Sequence, residues 1–309
     1  CHMGEFTYNG DLSYMGHALT QHLAGIPEGR CKYGFILNET GGIIDDLIVF
    51  RTGTEEIMLV VNAATTDNNF KVLKDRLSRG KLTDVSEATA KLDLQGPLSR
   101  EIIKDTLNID LNLKYFGFSS FRFMNKSIII SRTGYTGELG YEIYSDNETA
   151  IKIWELLIAD KRVKPAGLGA RDILRLEMGY CLYGSDLDEN TTPLEAGMGF
   201  LLDFNKDFIG KKALTQEKES GSRKIRIAFK TDSRRSPRKH NRIFSGEKEI
   251  GEVTSGSFSP ILSCGIGMGY VETGYEKADT PVLIQDGRKT TVNARISELP
   301  FYRNGSLTS

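Results

Sequence analysis

Two aspartates interrupt a strongly β-forming apolar run in Gly41-Gly42-Ile43-Ile44-Asp45-Asp46-Leu47-Ile48-Val49. Side chains alternate faces along a strand, so Asp46 is expected on the face of Ile44 and Ile48, and Asp45 on that of Ile43 and Leu47. One carboxylate is thereby turned toward an apolar interior. Such a group must be hydrogen-bonded or functional, and burial raises its pKa into a range useful for proton handling. A strand-end pair tied into turn hydrogen bonds is the bland alternative, and these residues alone leave both open. A second segment, Ser131 to Glu142, joins a glycine-rich turn to a strand that sets Glu142 on the face opposite Tyr141 and Ile143. A carboxylate placed there can accept two parallel N–H bonds, as an amino-pyrimidinone edge offers.

Other chemistries find little support. The glycine clusters Gly167 to Asp172 and Gly265 to Gly269 lack the full dinucleotide fingerprint, and there is no phosphate loop, nucleophile elbow or H-E-x-x-H. The four histidines are dispersed, which argues against a metal site or a histidine base. Cys1, Cys31, Cys181 and Cys264 are widely scattered without a C-x-x-C pair, so they read as reduced, buried small hydrophobes and give no zinc site.

The elements that must position these residues fall into three groups. A helix is expected from Asp11 to Leu23, then a hairpin of Tyr33–Asn38 and Ile43–Arg51, a strand Glu56–Asn62 and a helix Thr66–Ser78. From Ala90 a similar grammar restarts: a strand to Leu94, a helix opened by Gly96-Pro97, a hairpin Phe121–Arg132 around Asn125-Lys126, and a strand Gly140–Tyr144. A helix over Ala150, Trp154 and Leu157 follows, and another from Leu168 to Met178. Helical periodicity ends near Leu214. Beyond it, short strands (224–230, 249–254, 266–271, 281–284, 290–296) between Gly, Ser and Pro turns indicate a small β-barrel or sandwich. The class is α+β, with domains expected at 1–89, 90–205 and 206–309 and no parallel doubly wound sheet.

The chain has 309 residues, enough for two or three domains. With 40 Lys+Arg against 41 Asp+Glu the net charge is -1, so no overall field draws it to nucleic acid or an anionic membrane. Its apolar runs are too short to span a bilayer. The reduced cysteines fit a cytosol-like compartment, a bacterial cytoplasm or an organellar matrix. One local exception to neutrality is the strip Arg223, Lys224, Arg226, Lys230, Arg234, Arg235, Arg238, Lys239 and Arg242, which contains one acid, Asp232, and one aromatic, Phe229. A nucleic-acid strip would interleave more aromatics, so a solvated face is expected from composition.

Taken together, the segments "HMGEF", "NETGGIIDDLIVF", "VVNAA", "SRTGYTGELGYEI", "GLGARD", "TTPLEAG" and "GEVTSGSFSPIL" occur in an order that resembles the T-protein family of the glycine cleavage system, tetrahydrofolate-dependent aminomethyltransferases. The "PFYRNG" tail extends the likeness. The resemblance implies a three-domain cloverleaf with tetrahydrofolate in a central channel and the lipoyl arm of a carrier, the H-protein, entering from one side. It also implies a segment ahead of "HMGEF" that this chain is expected to lack. Carried over by motif, Asp46 is the catalytic carboxylate and Glu142 the pterin anchor. Arg171 is a substrate-site arginine, and Tyr33, Asn62, Tyr135 and Tyr180 line the pocket, with Arg303 of the tail added. No metal is implied, and the acidic carrier would meet the basic strip. A folate-dependent demethylase and a non-catalytic folate-binding protein share the fold. The second is expected to carry a reactive cysteine segment that is absent here.

Overall fold

A computed structural model describes residues 3–288 and 290–307, which leaves Cys1 outside the described residues. Its first sheet contains β1 (Gly4–Asn9), β2 (Cys31–Leu37), β3 (Ile43–Gly53), β4 (Glu56–Val61) and β5 (Lys81–Asp84), in the antiparallel order β2-β3-β4-β1-β5. Two helices, α1 (Leu12–Ala18) and α2 (Thr66–Arg76), cover one face. There Phe6, Tyr8, Leu47, Val49, Leu59 and Leu73 form the core. The other face meets the second sheet through Cys31, Phe50, Met58, Val60, Phe118 and Tyr144.

The second unit consists of β6 (Ala90–Gln95), α3 (Ser99–Leu107), β7 (Phe118–Phe123), β8 (Lys126–Ser131), β9 (Gly140–Ser145) and α4 (Asn147–Ala159). Its strands are ordered β6-β9-β8-β7. Leu94, Ile102, Ile103, Ile143, Ile153 and Leu157 close the space between its sheet and helices. After α5 (Leu168–Met178) and α6 (Lys211–Ser220), six strands form a closed antiparallel barrel. They are β10 (Lys224–Thr231), β11 (Arg242–Ser245), β12 (Lys248–Ser259), β13 (Cys264–Glu272), β14 (Pro281–Gln285) and β15 (Thr291–Ser297). Two antiparallel α+β units and a terminal barrel are thus what the chain adopts.

Several local expectations are corrected. The helix expected over Asp11–Leu23 stops at Ala18, because Leu19 turns extended and Thr20 binds the neighbouring strand. The Thr20 amide donates to Phe35 O at 3.1 Å and its hydroxyl accepts from the Phe35 amide at 2.9 Å. Leu23 belongs to a separate 3₁₀ turn. In α4 the inward positions are Ala150, Ile153 and Leu157, whereas Trp154 is 49% exposed. The second hairpin turns on Met124 and Asn125, both at positive φ. β1, β5 and β11 lie outside the strands expected from the sequence: β1 and β5 depend on partners distant in sequence, whereas β11 is a short strand in a hairpin with β12.

A correction of more consequence lies beside the two aspartates. β2 and β3 pair Ile36 with Asp45 but Leu37 with Ile43, so Ile44 is an extra residue in a bulge. Strict alternation therefore fails there. Ile44 packs with Leu47 under the helices, while Ile43 joins Phe35 and Leu37 in another cluster. From Asp45 onward the alternation resumes as expected, and Asp46 shares its face with Ile48, not with Ile44.

Candidate active site

A cavity of about 460 Å³ opens between the first two sheets, α5 and the loop that follows it. Its walls include Tyr33, Asp46, Asn62, Glu142, Arg171, Tyr135 and Tyr180. Seven of the eight residues expected from the sequence thus gather at one place. Arg303 is not among them. It lies on a separate groove beside the barrel and pairs with Glu298 at 3.0 Å, and the tail around it bonds to the end of α5, where the Phe301 and Tyr302 amides donate to Glu177 O.

Strand register explains the aspartate cluster. Leu47 pairs with Val61, so the next step of the ladder places Asn62 beside Asp46, while Tyr33 lies diagonally across β2, where Phe35 faces Asp46. Tyr33 Oη donates to Asp46 Oδ2 at 2.9 Å, and Asn62 Nδ2 donates to Asp46 Oδ1 at 2.9 Å. The same amide reaches Asp45 Oδ1 at 2.7 Å. Asp45 points the other way, toward α2, and accepts from the Asn62 amide, Thr65 Oγ1 and Asn69 Nδ2. The turn-bonded reading therefore describes Asp45, and the cavity-facing reading describes Asp46.

Their environments differ accordingly. Burial, then the negative Asp45 alongside, pushes the Asp46 carboxyl up to about 7, with the Tyr33 and Asn62 donors pulling it partly back. Burial also raises the Asp45 carboxyl, against four hydrogen bonds that favour its ion. Asp46 can therefore hold or release a proton near neutrality, which an exposed aspartate cannot do.

The opposite wall is charged. β6 and β9 pair Asp93 directly with Glu142 and Lys91 with Tyr144. Two carboxylates facing each other across a sheet repel, and the Lys91 ammonium bridges them at 2.5 Å from Glu142 Oε1 and 3.3 Å from Asp93 Oδ1. Glu142 Oε2 accepts from Thr133 Oγ1 at 2.6 Å and from Tyr144 Oη at 3.1 Å. The two-bond acceptance expected of Glu142 is thus narrowed: Oε2 is filled, and one lone-pair direction at Oε1 is left for a ligand. Arg171, in the first turn of α5, reaches Asp93 Oδ2 at 3.4 Å. Its guanidinium lies 4.9 Å from the Tyr135 ring centroid, and Tyr135 stacks on Tyr180 at 5.6 Å. Tyr135 also donates to Cys181 O, which fixes the ring against the loop after α5.

Lys91, Tyr115, Tyr183 and Met198, which the sequence does not single out, also line the walls, as does Arg226 of the basic strip. Lys91 had a readable signal, since Lys91 and Asp93 alternate onto one face of an otherwise apolar strand. Tyr115 and Met198 sit on loops and had none. Of the cysteines, Cys31 and Cys181 are buried and Cys264 is half-buried, a correction to its expected burial. Burial pushes the Cys181 thiol up to about 12, so it is inert beside the cavity.

The basic strip is discontinuous. Arg226 turns inward and donates to Ala196 O at 2.9 Å and Gly179 O at 2.8 Å. Lys224 lies near Glu195, and Arg242 pairs with Glu252 at 2.8 Å. Arg234, Arg235, Arg238 and Lys239 stay exposed. Among the described residues no helix is long and apolar enough to cross a membrane.

Comparison with known proteins agrees with this fold. Residues 1–206 match the family model described as the GCVT N-terminal domain, and residues 224–303 the one described as the glycine cleavage T-protein C-terminal barrel domain. The chain belongs to the glycine cleavage T-protein family. It is 42% identical over 313 residues to the aminomethyltransferase of Halothermothrix orenii, covering 97% of this chain and 86% of the relative. It is 39% identical over 310 residues to that of Thermotoga neapolitana, covering 98% and 85%. The crystal structure of the glycine cleavage system aminomethyltransferase T from Bartonella henselae superposes with a TM-score of 0.92 at 31% identity, over 98% of this chain and 85% of that one. The enzyme class that these relatives define, and that this chain shares, is aminomethyltransferase.

Proposed function

We propose that this aminomethyltransferase releases ammonia from the aminomethyl-lipoyl arm of a carrier protein and passes the one-carbon unit to tetrahydrofolate. The observation that carries the reading is the pairing of a neutral-range carboxyl, Asp46, with an acceptor carboxylate, Glu142, on opposite walls of one cavity. The residues fit a reduced pterin. Leu47, Ile48 and Val60 give apolar wall, Tyr135 and Tyr180 give aromatic faces, and the cavity is of ordinary ligand size. Tetrahydrofolate supplies the nucleophilic N5 that accepts the one-carbon unit.

The chain's own groups do the rest. Glu142 accepts a ring N–H and so fixes the pterin's orientation. Arg171 meets the acidic part of the ligand from the Tyr135 side. Asp46, oriented by Tyr33 and Asn62, lies where positive charge develops as ammonia leaves, and its negative charge stabilises that state in a site screened from water. In its protonated form it can hand a proton to the departing amine. Holding two bulky reactants in line supplies much of the remaining acceleration. The surface formed by Arg234, Arg235 and Arg238 would steer an acidic carrier, with no call on nucleic acid or membrane. The domain division at 1–89, 90–205 and 206–309, and a bacterial cytoplasmic setting, belong to the same reading.

The test is ammonia release from aminomethyl-loaded carrier, with and without tetrahydrofolate. Folate-dependent release with formation of 5,10-methylenetetrahydrofolate is expected. Release of a methyl-group product from an N-methyl amino acid would favour the demethylase reading instead.

A further inference from the structure

The family likeness carries Asp46, Glu142 and Arg171, but it says nothing of what keeps Glu142 usable. Lys91 is 4% exposed at its side chain and lies on the cavity wall. Every element around Glu142 brings a polar or titratable group. Lys91 and Asp93 come from β6, Tyr144 from β9, Thr133 from the turn after β8, Arg171 from α5, the Cys31 thiol from β2, and Glu5 from β1. Glu5 is 1% exposed, and its Oε2 has no hydrogen-bond partner. Three carboxyl groups thus share two cations, Lys91 and Arg171, and Arg171 reaches Asp93 without reaching Glu142.

We infer that Lys91 is a positioning residue for ligand recognition: its ammonium, 2.5 Å from Glu142 Oε1 and 3.3 Å from Asp93 Oδ1, is the counter-charge between the two carboxylates, so that Glu142 Oε1 can accept one ring N–H from the bound pterin. This rests on the reading of Glu142 given above. The ion states support it. Burial alone would lower the Lys91 ammonium, yet Asp93 and Glu142 beside it carry it above the ordinary range. For Asp93, burial would raise the carboxyl, but Lys91 and then Arg171 hold it below its usual value. Glu5, farther from the cation, is pushed by burial up to about 8 despite the opposing pull of Lys91. A buried carboxylate in this cluster stripped of its cation takes up a proton, and a protonated acid presents a donor where the ligand needs an acceptor.

The experiment is calorimetric titration of tetrahydrofolate into the full chain and the variants Lys91→Met, Lys91→Arg, Glu142→Gln and Lys91→Met/Glu142→Gln, from about pH 6.5 to about pH 8.5. The parent Kd is expected to be flat over this range. Lys91→Met should bind about tenfold more weakly at the acid end and recover as the pH rises, since one pKa unit corresponds to a tenfold change. Lys91→Arg should restore a flat profile. Glu142→Gln should weaken binding at every pH, and the double variant should be no weaker than Glu142→Gln alone. Uniform weakening of Lys91→Met at every pH, or additive losses in the double variant, would overturn the inference and assign Lys91 to the fold or to direct contact. Parent-like binding by Glu142→Gln would instead remove Glu142 from recognition, and the role of Lys91 with it.

Discussion

Replacing Asp46 by Asn separates its charge from its shape. Asn can turn its carbonyl toward the donor Asn62 Nδ2 and its amide toward the Tyr33 hydroxyl, which can accept as well as donate, so both contacts survive. What disappears is a carboxyl whose pKa rises from 3.8 to about 7 on folding. Between those values the folded state binds more protons than the unfolded chain. Stability therefore falls as pH rises through this window and levels off above it. The shift corresponds to a cost of about 4 kcal/mol above neutrality and under about 2 kcal/mol at pH 5. Asp46→Asn is thus expected to be more stable than the parent by up to that amount at pH 8, with the gap closing toward pH 4 in denaturant titrations. Over the same range the transfer rate should fall ~10²–10⁴-fold, and the limb near pH 7 in the parent's kcat/KM profile should vanish. Asp45→Asn, whose site faces α2, should cost activity far less. A stability gap that does not change with pH, or a variant within a few-fold of parent activity, would refute the assignment.

Glu142→Ala removes one charged acceptor and should weaken tetrahydrofolate binding by about 1.5–3 kcal/mol in calorimetry, with an unchanged Kd excluding it from the site. Charge reversal at Arg234, Arg235 and Arg238 should raise KM for the carrier and flatten its salt dependence while sparing turnover of free lipoyl substrate. Equal loss on both substrates would give the patch to the fold instead. Asp186→Asn removes one of the two carboxylates, Asp172 and Asp186, that lie 2.7 Å from the buried Arg175 guanidinium, which should cost about 1.5–3 kcal/mol in denaturant unfolding. Because Arg175 ties α5 to β12 through Ser255, Arg171 on that helix should lose ligand affinity in the same variant, measured as a raised KM for tetrahydrofolate.

Local pattern made much of this protein legible. Alternation along the strands, helical spacing and turn residues sufficed for the α+β class and for most strands of the barrel, because each reflects interactions within a few residues. Order of motifs was enough to single out Asp46, Glu142, Arg171 and four lining residues, although the strand pattern by itself could not choose between Asp45 and Asp46. That choice was made by register: Leu47 opposite Val61 brings Asn62 to both aspartates, while α2 claims Asp45 with Thr65 and Asn69. The bulge at Ile44 was equally out of reach, since it exists in the pairing of two strands and not in either one. The alternation of Lys91 and Asp93 shows a charged strand face but not the Glu142 that meets it from another strand, Arg226 reads as one more cation of the basic strip until distant carbonyls enclose it, and Arg303 reads as a site residue although its side chain pairs with Glu298 away from the cavity. In each case the sequence determined which groups were available, and only the tertiary structure decided which charges meet in a space where water cannot screen them.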